Sequence, residues 1–241
     1  MDIILKFISR IIDIIYSYIP FYGVCVVLLA LLGKLLFIFA AKKYYNSIKL
    51  SEVIAPLVKK NNHKYAGNRT RKAEELTKIL ASNNYPIFGG ISNLIVEAIF
   101  SLGLIGIFNN PSLYLTYATS TEKLLFLYVD LTSTPIFLLQ SPIGNEVELF
   151  ISFSLVVMTL GIFIFHDKIM EKYSFVEQAT INKITWVIFA ICFLCFNQAF
   201  TLYWFSMKIM DLIHIFIVKK YFTVTRTEGN NNVIKKIKIK R

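Results

Sequence analysis

A lysine lies inside the first long apolar segment of the chain, and it constrains the possible folds more than any other residue. Lys34 falls within Phe21–Ala41 (FYGVCVVLLALLGKLLFIFAA), a segment long enough to cross a bilayer. A charge at that depth costs roughly 2.5–3.5 kcal/mol on insertion scales, so it needs a partner, a wet cavity or a function. Snorkelling to the interface or pairing with an acid is one explanation. The favoured hypothesis is that the intramembrane charge is functional.

Long apolar segments dominate the rest of the sequence. The 241-residue chain is 56% hydrophobic and has a mean hydropathy of +0.58, which predicts an integral membrane protein rather than a soluble domain. After the first, the apolar segments are Ile87–Phe108, Val147–Phe165, Ile184–Phe196 and Ala199–Val218. The segment that begins at Ile184 is short for a span, and Asn197 and Gln198 mark a tight turn after it. We therefore expect an all-α membrane protein with five transmembrane helices in a core over residues 21–222.

The N-terminal segment, residues 1–20, has a different pattern. Isoleucines fill one face of a possible helix, and polar residues recur at helical spacing on the other: Asp2, Lys6, Ser9, Arg10, Asp13 and Ser17. Asp13 interrupts any signal-peptide core, and no small-residue cleavage pattern follows. Residues 1–20 are predicted to form an amphipathic helix that lies in the membrane interface.

The formal net charge of +11 is concentrated in two regions. Ten basic residues lie between the first and second apolar segments, whereas Lys123 is the only one between the second and third. A further basic group lies in the tail, residues 223–241. In a membrane protein such clusters indicate cytoplasmic loops more often than nucleic-acid binding. The positive-inside rule thus places the first loop and the C-terminus in the cytoplasm and the N-terminus outside.

The first loop, residues 42–86, is predicted to be a helical hairpin. Helical patterns run over about 43–60 and 69–82, and the turn formers of Asn61–Asn68 separate them. The basic side chains of interest in the hairpin and tail are Lys59, Lys60, Arg69, Arg71, Lys235 and Lys236. Charge alone indicates that they enforce orientation and hold anionic lipid.

Polar residues also form stripes inside two apolar segments. In the second segment the residues at every fourth position are Asn93, Glu97 and Ser101. In the fifth, residues at helical spacing are Gln198, Thr201, Trp204, Lys208 and Asp211. Such stripes should face protein or water rather than lipid. The simplest interpretation is mutual pairing, of Glu97 with Lys34 and of Lys208 with Asp211, with Trp204 as a packing aromatic.

Signatures of enzymes are absent from the sequence. His63, His166 and His214 are scattered without metal-ligand spacing. Cys192 and Cys195 form a CxxC without the second pair that a membrane thiol oxidoreductase would use, so buried apolar roles are expected. We expect no covalent catalysis, no catalytic residues, no metal and no cofactor.

Four motifs, in chain order, carry a resemblance to a known family. They are Asn84–Gly90 (NYPIFGG), Ile107–Pro111 (IFNNP), Phe126–Pro135 (FLYVDLTSTP) and Thr201–Phe205 (TLYWF). Together with the basic hairpin, this ordered set resembles the YidC/Oxa/Alb family of membrane protein insertases. Lys34 falls where that family carries its groove arginine. The resemblance covers nearly the whole chain and is to a divergent, short bacterial type.

The chain departs from the family pattern at several positions. The groove charge is a lysine, which lacks the planar fork of arginine. Asn197-Gln198-Ala199 replaces a Pro-x-Gly, and the second segment lacks its proline near Glu97. His166-Asp167 stands where the family has glutamine-rich sequence.

The resemblance implies a membrane protein insertase or chaperone of the bacterial cytoplasmic (inner) membrane that functions as a monomer. Its hydrated, positively charged groove would be lined by Lys34, Asn93, Glu97, Ser101, Gln198, Thr201 and Trp204. Nascent membrane proteins would be the substrates. The Sec translocon, targeting factors and the ribosome, met by the hairpin and tail, would be partners, besides anionic lipids.

Two other hypotheses remain open from the sequence. One is a small transporter or channel that uses the charges of Lys34, Glu97 and Lys208, although no internal repeat is visible. The other is an assembly factor that chaperones one membrane complex without inserting proteins generally.

Overall fold

The chain forms a helical bundle with two short strand pairs. The computed structural model describes residues 2–36, 50–51, 54–83, 89–118, 125–127, 129–140, 146–171, 179–224 and 237–239. The helices are α1 Asp2–Tyr18, α2 Tyr22–Leu36, α3 54–64, α4 Arg69–Ser82, α5 Gly89–Asn109, α6 Pro111–Tyr114, α7 Pro135–Gln140, α8 Glu146–Glu171, α9 Ala179–Cys195 and α10 Gln198–Tyr221. The strands are β1 Leu125–Phe126, β2 Val129–Asp130, β3 Phe222–Val224 and β4 Ile237–Ile239.

Both strand pairs are antiparallel, and neither was predicted. Leu125 pairs with Asp130, and Phe222 pairs with Ile239. The second pair brings the basic tail back onto the end of α10. Isoleucine and lysine alternate through Ile237–Ile239, a period of two that favours a strand over a helix. The expectation of an all-helical protein therefore holds except for these ladders.

A helix lies in each of the five predicted apolar segments: α2, α5, α8, α9 and α10. Among the described residues, one helical stretch, Glu146–Ile169, is long and apolar enough to cross a membrane. The shorter apolar stretches are Tyr22–Leu35, Glu97–Asn109 and Lys183–Cys195. The helical nature of the segments is thus confirmed, whereas the number of spans stays a prediction. Residues 37–41 and 87–88, parts of two predicted spans, lie outside the described residues.

Helix α10 lies at the centre of the bundle. It packs against α2, α8 and α5, while α9 packs mainly against α8. Leu202, Tyr203 and Trp204, three consecutive residues of α10, are all buried. Consecutive positions point about 100° apart on a helix, so burial of all three requires neighbours on most sides. This central position brings residues of α10 next to two other helices at the site below.

Helix α1 is amphipathic, as predicted, and one of its faces packs onto the bundle. Leu5, Ile8 and Ile12 are buried against α5 and α2. Glycines permit the close approach, since a Cβ at Gly103 would overlap the Ile8 side chain. The second half of α1 is fixed by Asp13, whose carboxylate accepts hydrogen bonds from the Thr116 backbone N–H at 3.2 Å and from the Thr116 hydroxyl at 2.6 Å.

The predicted hairpin has its arms in α3 and α4. The first arm continues to residue 64, so the expected Asn61–Asn68 connection is shorter than predicted. The reason is that Asn61 is buried and its amide donates to the Lys72 carbonyl at 3.0 Å, linking the two arms. Asn68 caps α4 by accepting from the Arg71 backbone at 3.0 Å. Asn61 and Asn68, which the sequence suggested as turn formers, therefore link the two arms and cap α4.

Alanine at Gly23 is expected to destabilise the protein, by about 1–3 kcal/mol. A Cβ there would overlap the Phe126 side chain, whose own Cβ would lie within 2.5 Å. The Cβ of Phe126 cannot rotate away, so its backbone would have to move. That backbone is held in the β1–β2 ladder. Thermal unfolding in detergent, followed by circular dichroism, measures the loss.

Gly33 in the same helix supplies the matched control. A Cβ at Gly33 would meet nothing within 4 Å. Gly33→Ala should therefore be neutral or stabilise by up to about 1 kcal/mol through helix propensity. Equal destabilisation by both substitutions would contradict the close packing of Phe126 on α2.

Candidate functional site

Lys34 is held between two carboxylates from two other helices. Its Nζ lies 2.6 Å from Glu97 Oε1 on α5 and 2.8 Å from Asp211 Oδ1 on α10. The side chain of Lys34 is 13% exposed, and those of Glu97 and Asp211 are 3% and 2% exposed. Two short charge-assisted contacts at such burial compensate the desolvation of the lysine.

Lys208 is the fourth charge of this cluster. Its Nζ lies 3.5 Å from Asp211 Oδ2, one turn away on α10. The same ammonium lies over the rings of Phe163 at 5.1 Å and Trp204 at 5.5 Å. Both distances suit cation–π attraction, which gives a buried lysine a second kind of partner. Lys34, Glu97, Lys208 and Asp211 are hereafter the charge cluster, with a formal charge of zero when all are ionised.

The three helices of the charge cluster meet at one level. Lys34 lies about as far from the first residue of α2 as Asp211 lies from the first residue of α10. Glu97 lies at a similar distance from the last residue of α5. At a rise of about 1.5 Å per residue, each is about 18–20 Å along its helix. The helix ends used for this comparison are neighbours. The rings of Tyr22 on α2 and Phe108 on α5 are 6.4 Å apart, and a 3.1 Å hydrogen bond joins the start of α10 to the end of α5.

Both pairs suggested by the sequence are present, but the sequence did not indicate that they join. Asp211 connects them because it contacts Lys34 and Lys208 together. The positions of Lys34, Glu97 and Asp211 along α2, α5 and α10 could be read from the sequence. Their common depth is the signal that could have predicted this contact. Lys34 thus has acidic partners and does not depend on snorkelling.

The other predicted groove residues are divided between different surroundings. Ser101 donates to the Ala98 carbonyl of its own helix at 3.0 Å, and Thr201 donates to the Phe193 carbonyl at 3.5 Å. The Gln198 amide and Trp204 Nε1 are buried without a hydrogen-bond partner among the described residues. Asn93 lies in α5, but its side chain is outside the described ones.

Trp204 is also part of an aromatic cluster. Its ring centroid lies 4.9 Å from that of Phe189, 6.3 Å from Phe200 and 6.4 Å from Phe163. These distances are typical of packed aromatic pairs. Trp204 therefore does pack as an ordinary aromatic, while also flanking Lys208.

Two of the sequence motifs contact the turn where α10 begins. From the motif Phe126–Pro135, the Ser133 and Leu131 carbonyls accept from the Gln198 and Ala199 backbones at 3.0 and 3.1 Å. From the motif Ile107–Pro111, Asn109 Oδ1 accepts from the Asn197 amide at 3.1 Å. The same amide donates to the Ile105 carbonyl at 3.2 Å, and Asn197 Oδ1 accepts from the Phe200 backbone at 3.2 Å, which caps α10.

This end of the bundle explains one departure from the family pattern. Asn197 stands where a proline would begin the turn, and its side chain supplies hydrogen bonds that proline cannot make. It closes the turn and joins α5 to α10. Sequence reasoning treated Asn197 only as a turn former and missed this connection.

The remaining candidate residues lie elsewhere. Among the hairpin candidates, Lys59, Lys60, Arg69 and Arg71 are exposed. Lys235 and Lys236 lie outside the described residues. His166 is buried beside Asp167, whose other oxygen accepts from Trp186 Nε1 of α9 at 2.8 Å. His166-Asp167 thus joins α8 to α9.

Comparison with known proteins gives one consistent family. The family described as "60Kd inner membrane protein" matches residues 14–226. A "Membrane protein insertase YidC" from Magnetococcus marinus is 24% identical over 211 residues, covering 88% of this chain and 34% of that protein. The protein of the same name from Syntrophobacter fumaroxidans is 22% identical over 212 residues, covering 88% and 37%. This chain spans about a third of the length of these curated relatives.

Proposed function

The chain belongs to the YidC/Oxa/Alb family, that of the 60Kd inner membrane protein, as its ordered motifs predicted; on that basis we propose that it is a membrane protein insertase. In this proposal it helps single-span and small membrane proteins enter the bacterial cytoplasmic membrane. Within the structure, the observation that supports the proposal most is the charge cluster, which three helices bring to a common level. Charged residues inside apolar helices are characteristic of a polar pathway.

The mechanism rests on lowering the cost of moving a polar tail across hydrocarbon. Full dehydration of such a tail would be prohibitive, whereas a hydrated groove shortens the dry path. The groove is proposed to contain Lys34 and Glu97, with Asn93 and Ser101 on α5 and Gln198, Thr201 and Trp204 on α10. Support comes from Gln198 and Trp204, whose buried polar atoms have no hydrogen-bond partner among the described residues, since such atoms are normally satisfied by water.

The apolar part of the substrate would leave the groove along exposed apolar faces. Ile95, Ile99 and Leu102 are exposed on α5 and recur at helical spacing. On α9 the exposed residues are Ile184, Val187, Ile188 and Ile191. Transfer of the substrate helix into lipid supplies the driving force, so the step needs no nucleotide and breaks no covalent bond.

The proposed arrangement in the membrane follows the sequence prediction. Helices α2, α5, α8, α9 and α10 would span, α1 would lie at the outer interface, and α3–α4 and the tail would lie in the cytoplasm. The basic groups on these cytoplasmic parts would hold anionic lipid and orient the protein. Contacts with the Sec translocon, the ribosome and targeting factors are further proposals from the family resemblance.

Insertion by the purified protein in liposomes tests the function. A radiolabelled single-span substrate is added, and protection of its tail from protease is measured for wild type, Lys34→Ala and Glu97→Gln. We expect protection above empty liposomes for the wild type and a severalfold loss in Lys34→Ala. No protection by folded, correctly oriented wild-type protein would contradict the insertase proposal and favour a transporter or a dedicated assembly factor.

A further inference from the structure

The charge cluster holds as many carboxylates as ammonium groups. The side chains of Glu97 and Asp211 are 3% and 2% exposed, and both contact Lys34. The Lys208 side chain is 10% exposed and contacts Asp211. The four charges sum to zero, so a substrate tail that reaches the cluster would meet a polar and strongly ionic surface without an excess of positive charge.

An acidic tail gains little from such a site. To bind Lys34, its carboxylate must either displace Glu97 or Asp211, which already lie 2.6 and 2.8 Å from the ammonium, or join them at the third ammonium proton, where both carboxylates repel it. A displaced carboxylate would remain buried without its contact to Lys34, which is costly. At Lys208 a tail carboxylate would have to share the ammonium with Asp211, 3.5 Å away, and with the rings of Phe163 and Trp204.

An uncharged polar tail meets no such competition. Amide and hydroxyl groups can hydrogen-bond the ionic groups without separating the pairs. With a net charge near zero, the cluster also exerts little long-range attraction on anions. The geometry therefore favours neutral tails over acidic ones.

We propose that Glu97 determines substrate specificity by cancelling the charge of Lys34, so that the substrates are membrane segments with uncharged polar translocated tails. This inference rests on the proposed insertase function. Glu97 is the critical residue because Asp211 is shared between two lysines, whereas the contact of Glu97 within the charge cluster is with Lys34. Removing the Glu97 charge leaves the cluster with one more cation than anion.

The test compares two substrates that differ only in tail charge. A single-span protein carries two aspartates or two asparagines at the same tail positions, and its insertion into proteoliposomes is scored by protease protection. For the wild type we expect the neutral tail to insert at least as well as the acidic one. In Glu97→Gln the acidic-to-neutral ratio should rise by about tenfold, equivalent to about 1.4 kcal/mol.

Two control variants separate charge from structural damage. Lys34→Met/Glu97→Gln removes one cation and one carboxylate, so its ratio should return to that of the wild type. Glu74→Gln removes an exposed carboxylate on α4 and should leave the ratio unchanged.

The possible results distinguish failure of the inference about Glu97 from failure of the proposed insertase function. A wild type that favours acidic tails severalfold, or a ratio that Glu97→Gln does not move, would overturn the assignment of Glu97 while leaving the insertase function standing. Failure of every variant to insert either tail above protein-free liposomes would instead overturn the function, and the inference with it.

Discussion

Replacing Lys34 by methionine is expected to lower the free energy of unfolding by about 3–5 kcal/mol, the usual cost of removing one partner from a buried ion pair. Methionine keeps the length and apolar volume of the lysine stem, so the loss comes from the charge. Glu97 and Asp211, at 3% and 2% exposure, would lose an ammonium that lies within 2.8 Å of both. Denaturation of the detergent-solubilised protein with sodium dodecyl sulfate, followed by circular dichroism, measures the change.

A compensating variant tests whether the loss is electrostatic. Lys34→Met/Glu97→Gln removes the Glu97 carboxylate together with the lysine and should recover about half or more of the lost stability, since breaking a pair costs more than replacing it. Asp211 keeps Lys208 as its partner in this variant. If the double variant is no more stable than Lys34→Met, the stabilisation does not come from the Lys34–Glu97 pair.

Alanine at Asn197 is expected to cost about 2–3 kcal/mol, because a buried cap and two inter-helix hydrogen bonds disappear together. The Asn197 side chain is the contact through which α10 holds the Ile105 carbonyl and Asn109 at the end of α5. The Phe200 backbone N–H would lose its side-chain acceptor. Thermal unfolding of Asn197→Ala in detergent measures the loss.

Asn110 provides a matched control for Asn197. It is exposed and precedes α6 without a side-chain capping hydrogen bond. Asn110→Ala should change the free energy of unfolding by no more than about 0.5 kcal/mol. A comparable loss in both variants would show that Asn197 contributes only as a general turn former.

Much of the local structure could be predicted from the sequence. The helices over the five apolar segments and over the N-terminal segment follow from length, apolarity and helical periodicity, which are local properties. The pairing of Lys34 with Glu97 could also be suggested, since few acids lie inside apolar segments. The strand of the tail, Ile237–Ile239, was missed because so short an alternating pattern does not outweigh a basic, low-complexity composition.

The sequence by itself determined which residues carry charge inside apolar helices and how far each lies along its own helix. Only the tertiary structure decided that Asp211 joins Glu97 on the same lysine, that Asn197 links α5 to α10, and that α1 packs on α5 across Gly103. The physical reason is that these contacts depend on how separate helices rotate and slide against one another. Helix periodicity fixes the direction of a side chain around its own axis, but it carries no information about the neighbouring helix.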